Sequence, residues 1–141
     1  MYYLDTSVFL EWLFKENSDK YRPPGEQIVS SDLLRVESRR TFHRLRLENK
    51  IDDSGFVRLQ TVFQDFWHTI HVVSVDEAIL ELSAGTFPTI IGTLDAIHLS
   101  TALLYQKYKK VSLTIITEDK QLRTTAQACG FTVVDHTLQQ D

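Results

Sequence analysis

The chain has 141 residues, 43% hydrophobic and 24% charged, with a formal net charge of -4 at pH 7. This suits one domain over residues 1–141 and argues against a protein that coats nucleic acid by bulk positive charge. Asp5 and Glu11 interrupt the apolar opening and no basic flank precedes it, so neither a secretory leader nor a membrane span fits, and a cytoplasmic location is expected.

From the N-terminus, "YYL" (2–4) reads as a short strand that ends at Asp5, and residues 7–15 as a helix. "YRPPGE" is a loop, "QIVS" (27–30) is the second strand, and 32–48 is a helix. Between Ser31 and Lys50 six basic residues, Arg35, Arg39, Arg40, Arg44, Arg46 and Lys50, stand against Asp32, Glu37 and Glu48. The segment is either a solvated helix face or a surface that meets phosphates. "NKIDDSG" joins it to a helix over 54–69, giving a helical hairpin. "HVVSV" (71–75) is the third strand, followed by a helix over 76–84, the loop "GTFPTIIGT" and a long helix over 94–109. "LTIIT" (113–117), a helix over 119–129 ended by Gly130, and "FTVV" (131–134) complete the pattern, with "TLQQD" expected to fray. The strands are continuously apolar and helices separate them. An α/β fold with a central, mostly parallel sheet covered on both faces is therefore expected. Cys129 is the single cysteine and reads as a small hydrophobe near a helix end; no Cys/His cluster has zinc-site spacing.

In an open parallel sheet, ligands bind beyond the carboxyl ends of the strands. Asp5 ends the first strand; Thr117, Glu118 and Asp119 follow the fourth; Glu37 lies early on the helix after the second; Asp95 lies in the first turn of the long helix. Each acid has an ordinary structural reading as an Asx turn, a helix cap or an early-helix acid. Glu37 and Asp95, however, lack the Lys partner at i+4 that a solvent-facing acid commonly has, since those positions are Thr41 and Leu99. Four converging carboxylates repel one another, and a divalent cation removes that penalty. All-oxygen donors select Mg²⁺ or Mn²⁺, and such an ion can polarise a phosphoryl group and activate water for in-line attack.

The motifs "LDTS", "VES", "LDAIHLSTAL" and "TED" resemble the PIN-domain family, and in their order the VapC-type ribonuclease toxins of prokaryotic toxin-antitoxin pairs. The resemblance spans nearly the whole chain. It implies a three-layer α/β/α fold, a carboxylate metal site holding Mg²⁺ or Mn²⁺, and endonucleolytic cutting of single-stranded regions of structured RNA, of the tRNA or rRNA type. It also implies a small antitoxin as cognate partner, homodimers, and self-regulation of transcription through the antitoxin. Asp5, Glu37, Asp95 and Asp119 match the family's catalytic and metal-binding quartet. Whether Asp119 ligates directly or through water stays open. Thr6 or Ser7, and Thr117, match its hydroxyl positions, as donors that orient a carboxylate or a water.

His98 lies one turn beyond Asp95 and reads either as a further donor behind the carboxylates or as a packing histidine. Asp76 follows the third strand as Asp119 follows the fourth, and is read as an N-cap. Phe63, Phe66 and Trp67 are read as core or partner surface. Arg39 and Arg40, just after Glu37, are candidate phosphate contacts, or part of an antitoxin-binding face. The expected activity is water-mediated hydrolysis leaving a 5′-phosphate and a 3′-hydroxyl. A housekeeping RNA-processing nuclease and a non-catalytic scaffold are the rival readings.

Overall fold

A computed structural model describes residues 1–15 and 22–135. "TLQQD" and Tyr21 of "YRPPGE" lie outside them. Five strands, β1 (Tyr2–Leu4), β2 (Ile28–Ser31), β3 (His71–Val73), β4 (Thr114–Ile116) and β5 (Thr132–Val134), form one sheet in the order β3-β2-β1-β4-β5. Every pairing is parallel. Among the described residues six α-helices connect them: α1 (Thr6–Phe14), α2 (Leu33–Leu47), α3 (Asp53–Trp67), α4 (Glu77–Ser83), α5 (Thr93–Lys109) and α6 (Lys120–Ala128).

The register explains the three layers. Tyr3 pairs with Val29 on one side and Ile115 on the other, and Ile115 with Val133, so these four residues point to one face. They pack with Leu99 and Ala102 of α5 and with Leu122 and Ala126 of α6. Leu4, Ile116 and Val134 share the opposite face, together with Ile28, and pack with Val8, Phe9 and Trp12 of α1, Leu34 and Phe42 of α2, and Leu59, Phe63 and Phe66 of α3. Phe9 stacks on Phe66 at 4.7 Å between ring centroids and meets Phe63 edge-on at 5.8 Å. Phe63 and Phe66 therefore serve the core, with Trp67 half-buried against it. Cys129 is likewise half-buried, against the other cluster.

Element boundaries differ from the sequence expectation by one or two residues, for local reasons. A 3-10 turn at Gly25–Gln27 delays β2 by one residue. β3 ends at Val73 because Asp76 then caps α4, its Oδ1 accepting from the Ile79 N–H at 2.9 Å. Coverage on both faces does not extend to β3, whose residues are exposed or half-buried, as suits an edge strand. At the end of α6, Gly130 takes φ +94°, the left-handed conformation that favours glycine at this position.

Candidate active site

The strand order explains the location of the site. β1 connects to β2 on one side, whereas β4 lies against its other side, so the carboxyl ends of β1 and β4 flank the point where the sheet's winding reverses. Asp5 leaves β1 there. It is only 5% exposed, and its backbone N–H donates to the Ile116 carbonyl across the β1–β4 gap at 3.1 Å. Two hydroxyls donate to its Oδ2: Ser7 Oγ at 2.6 Å and Thr117 Oγ1 at 2.8 Å. These bonds leave Oδ1 as the carboxylate's second oxygen. Thr117 Oγ1 also accepts the Asp119 N–H at 3.0 Å, which ties the Asp119 backbone to the same frame. Asp119 Oδ1 caps α6 by accepting the Leu122 N–H at 2.8 Å.

Glu37 reaches the site from α2. Its Oε1 accepts from Thr6 Oγ1 at 3.0 Å and pairs with His98 Nε2 at 2.7 Å. The other ring nitrogen of His98, Nδ1, is 2.8 Å from the Tyr3 hydroxyl. His98 is 1% exposed on its side chain, Glu37 24%. Burial pulls the His98 pKa down, but the Glu37 hydrogen bond and the charges of Asp5, Glu37 and Asp95 outweigh it and leave it raised. Burial, then the Asp5 charge, raises Tyr3 well above its ordinary value, so its hydroxyl keeps its proton.

Asp95 sits half-buried in the first turn of α5. Burial first, then the negative charges of Asp5 and Asp119, push its carboxyl from 3.8 up to about 6; His98 opposes the rise and Glu37 adds to it. The charges of Asp5, Asp119 and Glu37 thus all reach Asp95. Asp76 acts as a cap of α4. The donor set, four carboxylates supported by hydroxyls, fits a hard divalent cation such as Mg²⁺ or Mn²⁺ and offers no thiolate for softer metals. Among the described residues, no three His, Cys, Asp or Glu side chains already stand together as a group able to hold an ion. A hollow of about 660 Å³ lined by α4, the loop between α4 and α5, and the start of α5 contains none of the four acids. Its apolar walls carry no charge suited to phosphate.

The two arginines after Glu37 take different sides of α2. At about 100° per residue, Arg39 is roughly 200° round the helix from Glu37, while Arg40 and Arg44 share its side. Arg39 lies over the Phe63 ring at 5.4 Å and donates to Gln64 Oε1 at 3.4 Å, bridging α2 to α3. Arg40 lines an open hollow with His43, Arg44 and Leu47. In the sequence Tyr3 reads as one more apolar strand residue; it stands two residues before Asp5, on the face of the strand opposite to its neighbour Tyr2.

The fold and these groups define an α/β/α protein in which the charges of Asp5, Asp119 and Glu37 act on Asp95 at the switch point of a parallel sheet. The profile of the PIN domain family matches residues 2–128, and the chain belongs to that family. Over 136 residues it is 29% identical to Ribonuclease VapC46 of Mycobacterium tuberculosis, covering 94% of this chain and 95% of that protein. Three solved structures share the fold at lower identity. A toxin-antitoxin complex from Klebsiella pneumoniae matches at 19% identity and TM-score 0.62, covering 96% of this chain and 98% of that one. VapBC2 from Rickettsia felis, bound to a DNA fragment from its promoter, matches at 13% and 0.65, covering 95% and 97%. FitAcB from Neisseria gonorrhoeae matches at 16% and 0.65, covering 96% and 98%. No described helix is long and apolar enough to cross a membrane.

Proposed function

We propose that this chain is a Mg²⁺- or Mn²⁺-dependent endoribonuclease and the toxin of a toxin-antitoxin pair. What supports the reading best is the Asp95 carboxyl, pushed up to about 6 by burial first and then by the charges of Asp5, Asp119 and Glu37. The mycobacterial relative, matched over nearly the full length of both chains, is named a ribonuclease, and the solved relatives include toxin-antitoxin complexes.

Asp5, Glu37 and Asp95 would hold the cation, with Asp119 supporting them. When bound, such a cation would supply Lewis acidity, polarising the scissile phosphate and lowering the pKa of a water so that it can lose a proton and attack. The chain's own groups determine what faces that cation. Ser7 and Thr117 occupy Asp5 Oδ2, and Thr6 and His98 occupy Glu37 Oε1, so each carboxylate is turned to present its other oxygen. Arg40 and Arg44, on the Glu37 side of α2, position flanking phosphates of a single-stranded RNA segment. A small antitoxin is the partner that restrains the enzyme, and the toxin acts as a homodimer in the cytoplasm.

The full chain incubated with total cellular RNA tests this. Cleavage should require Mg²⁺ or Mn²⁺, stop in EDTA, leave 5′-phosphate ends that ligate directly, and be lost in Asp5→Asn. Cutting in EDTA that leaves 2′,3′-cyclic phosphates would refute the metal mechanism, and absence of metal-dependent cutting in the wild type would refute the activity.

A further inference from the structure

We infer that Tyr3 and His98 form a buried hydrogen-bonded relay whose task is to orient Glu37, so that one carboxylate oxygen is fixed by protein donors and the other is presented to the cation. The inference rests on the metal-site reading above and adds two positioning residues to it. Neither is catalytic, because neither reaches the reacting atoms.

The geometry assigns the roles. Glu37 Oε1, as an ionised carboxylate oxygen, can only accept, so the proton in its 2.7 Å contact belongs to His98 Nε2. That N–H is present in both the neutral and the charged ring, and the orientation of Glu37 is therefore independent of the ring's charge. Thr6 Oγ1 donates to the same oxygen at 3.0 Å. Two donors on Oε1 fix the carboxylate's rotation.

A histidine ring held at one nitrogen can still swing. Here the second nitrogen is also held, by the Tyr3 hydroxyl at 2.8 Å, and the Tyr3 and His98 rings meet edge-on at 5.9 Å. Tyr3 belongs to β1, two residues before Asp5, and is 1% exposed. The strand that delivers Asp5 from its end thus sends Tyr3 to the α5 face of the sheet, where it sets the ring that orients Glu37. One rigid element fixes two of the metal-facing carboxylates, and the 95-residue separation of Tyr3 and His98 hides the pairing from any local reading.

Paired isosteres test the relay. The side-chain nitrogen of Gln can occupy the place of Nε2, and that of Asn the place of Nδ1. His98→Gln therefore keeps the donor to Glu37, and His98→Asn keeps only the contact with Tyr3. Mn²⁺ affinity of the full chain, measured by calorimetric titration, should fall roughly 10- to 100-fold in His98→Asn and only about fivefold in His98→Gln, which loses the Tyr3 contact but keeps the donor to Glu37. Melting temperatures in EDTA should be alike for the two variants. Tyr3→Phe, which deletes one oxygen, should weaken Mn²⁺ binding about fivefold and decides the matter if His98→Asn does not fold. Equal affinity in the two His98 variants, or wild-type affinity in Tyr3→Phe, would overturn the relay. A wild type that binds no Mn²⁺ would overturn the metal site itself, and the relay with it.

Discussion

The charge on Asp95 should make the metal-free protein less stable at neutral pH, and removing that charge should stabilise it. The native carboxyl titrates near 6 against 3.8 for an unperturbed group. Between those values the unfolded chain has lost this proton while the native state retains it, so stability falls as pH rises. At about 1.4 kcal/mol per pH unit the ceiling is about 3 kcal/mol above pH 6. Solvent contact at this half-buried position screens it to about 1–2 kcal/mol. Asp95→Asn also forfeits the attraction of a carboxylate to the N-terminus of α5, about 0.5 kcal/mol. The net gain at pH 7.5 in EDTA is then about 0.5–1.5 kcal/mol, or about 2–5 °C in melting temperature for a domain of this size. At pH 4.5 the native Asp95 is protonated and the gain should disappear. His98 acts in the same direction: its raised pKa contributes stability below 6.5 that is lost as pH climbs through the native value, and less so in the variant, where the Asp95 charge no longer helps to raise it. Saturating Mn²⁺ should reverse the ranking, because a cation at 100 times its dissociation constant adds about 2.7 kcal/mol to the wild type alone. Thermal melts at both pH values, with EDTA and with Mn²⁺, check all of this. An Asp95→Asn variant that melts lower than wild type in EDTA at pH 7.5 would refute the repulsion argument and make Asp95 a structural acid.

Asp5→Asn should abolish most of the Mn²⁺-induced rise in melting temperature, since the amide retains hydrogen-bonding capacity toward Ser7 and Thr117 but loses the charge the cation needs; an undiminished rise in a metal titration would remove Asp5 from the site. Arg40→Ala with Arg44→Ala should weaken RNA binding and flatten its salt dependence by about 0.7 in slope per lost contact. Arg39→Ala should instead leave the salt slope unchanged and cost about 0.5–1 kcal/mol in urea unfolding, because Arg39 lies over Phe63. Equal salt slopes in the two sets would show that α2 does not sort its arginines in this way.

The alternation of short apolar runs with longer mixed segments was enough to foresee the five strands and six helices of the described residues, because burial between two helical layers demands continuous apolarity in strands this short. The candidate acids were legible for a related reason: a carboxylate at a strand end or an apolar helix start without a basic partner conflicts with its surroundings. Their grouping was not. Asp76 and Asp119 are locally equivalent, each following a strand and capping the next helix through Oδ1. Strand order separates them. β4 lies directly against β1, about 4.8 Å away, whereas β3 is two strands off on the other side, and Asp119 acts with Asp5 on Asp95. The division between Arg39 and Arg40 likewise waited on α3 packing against one side of α2, which no reading of the six basic residues from Arg35 to Lys50 could supply. Tyr3 and His98 make the same point from the interior. A run of residues dictates its own period and polarity, but which two side chains share a hydrogen bond across 95 residues depends on strands and helices that meet only once the sheet has closed its order.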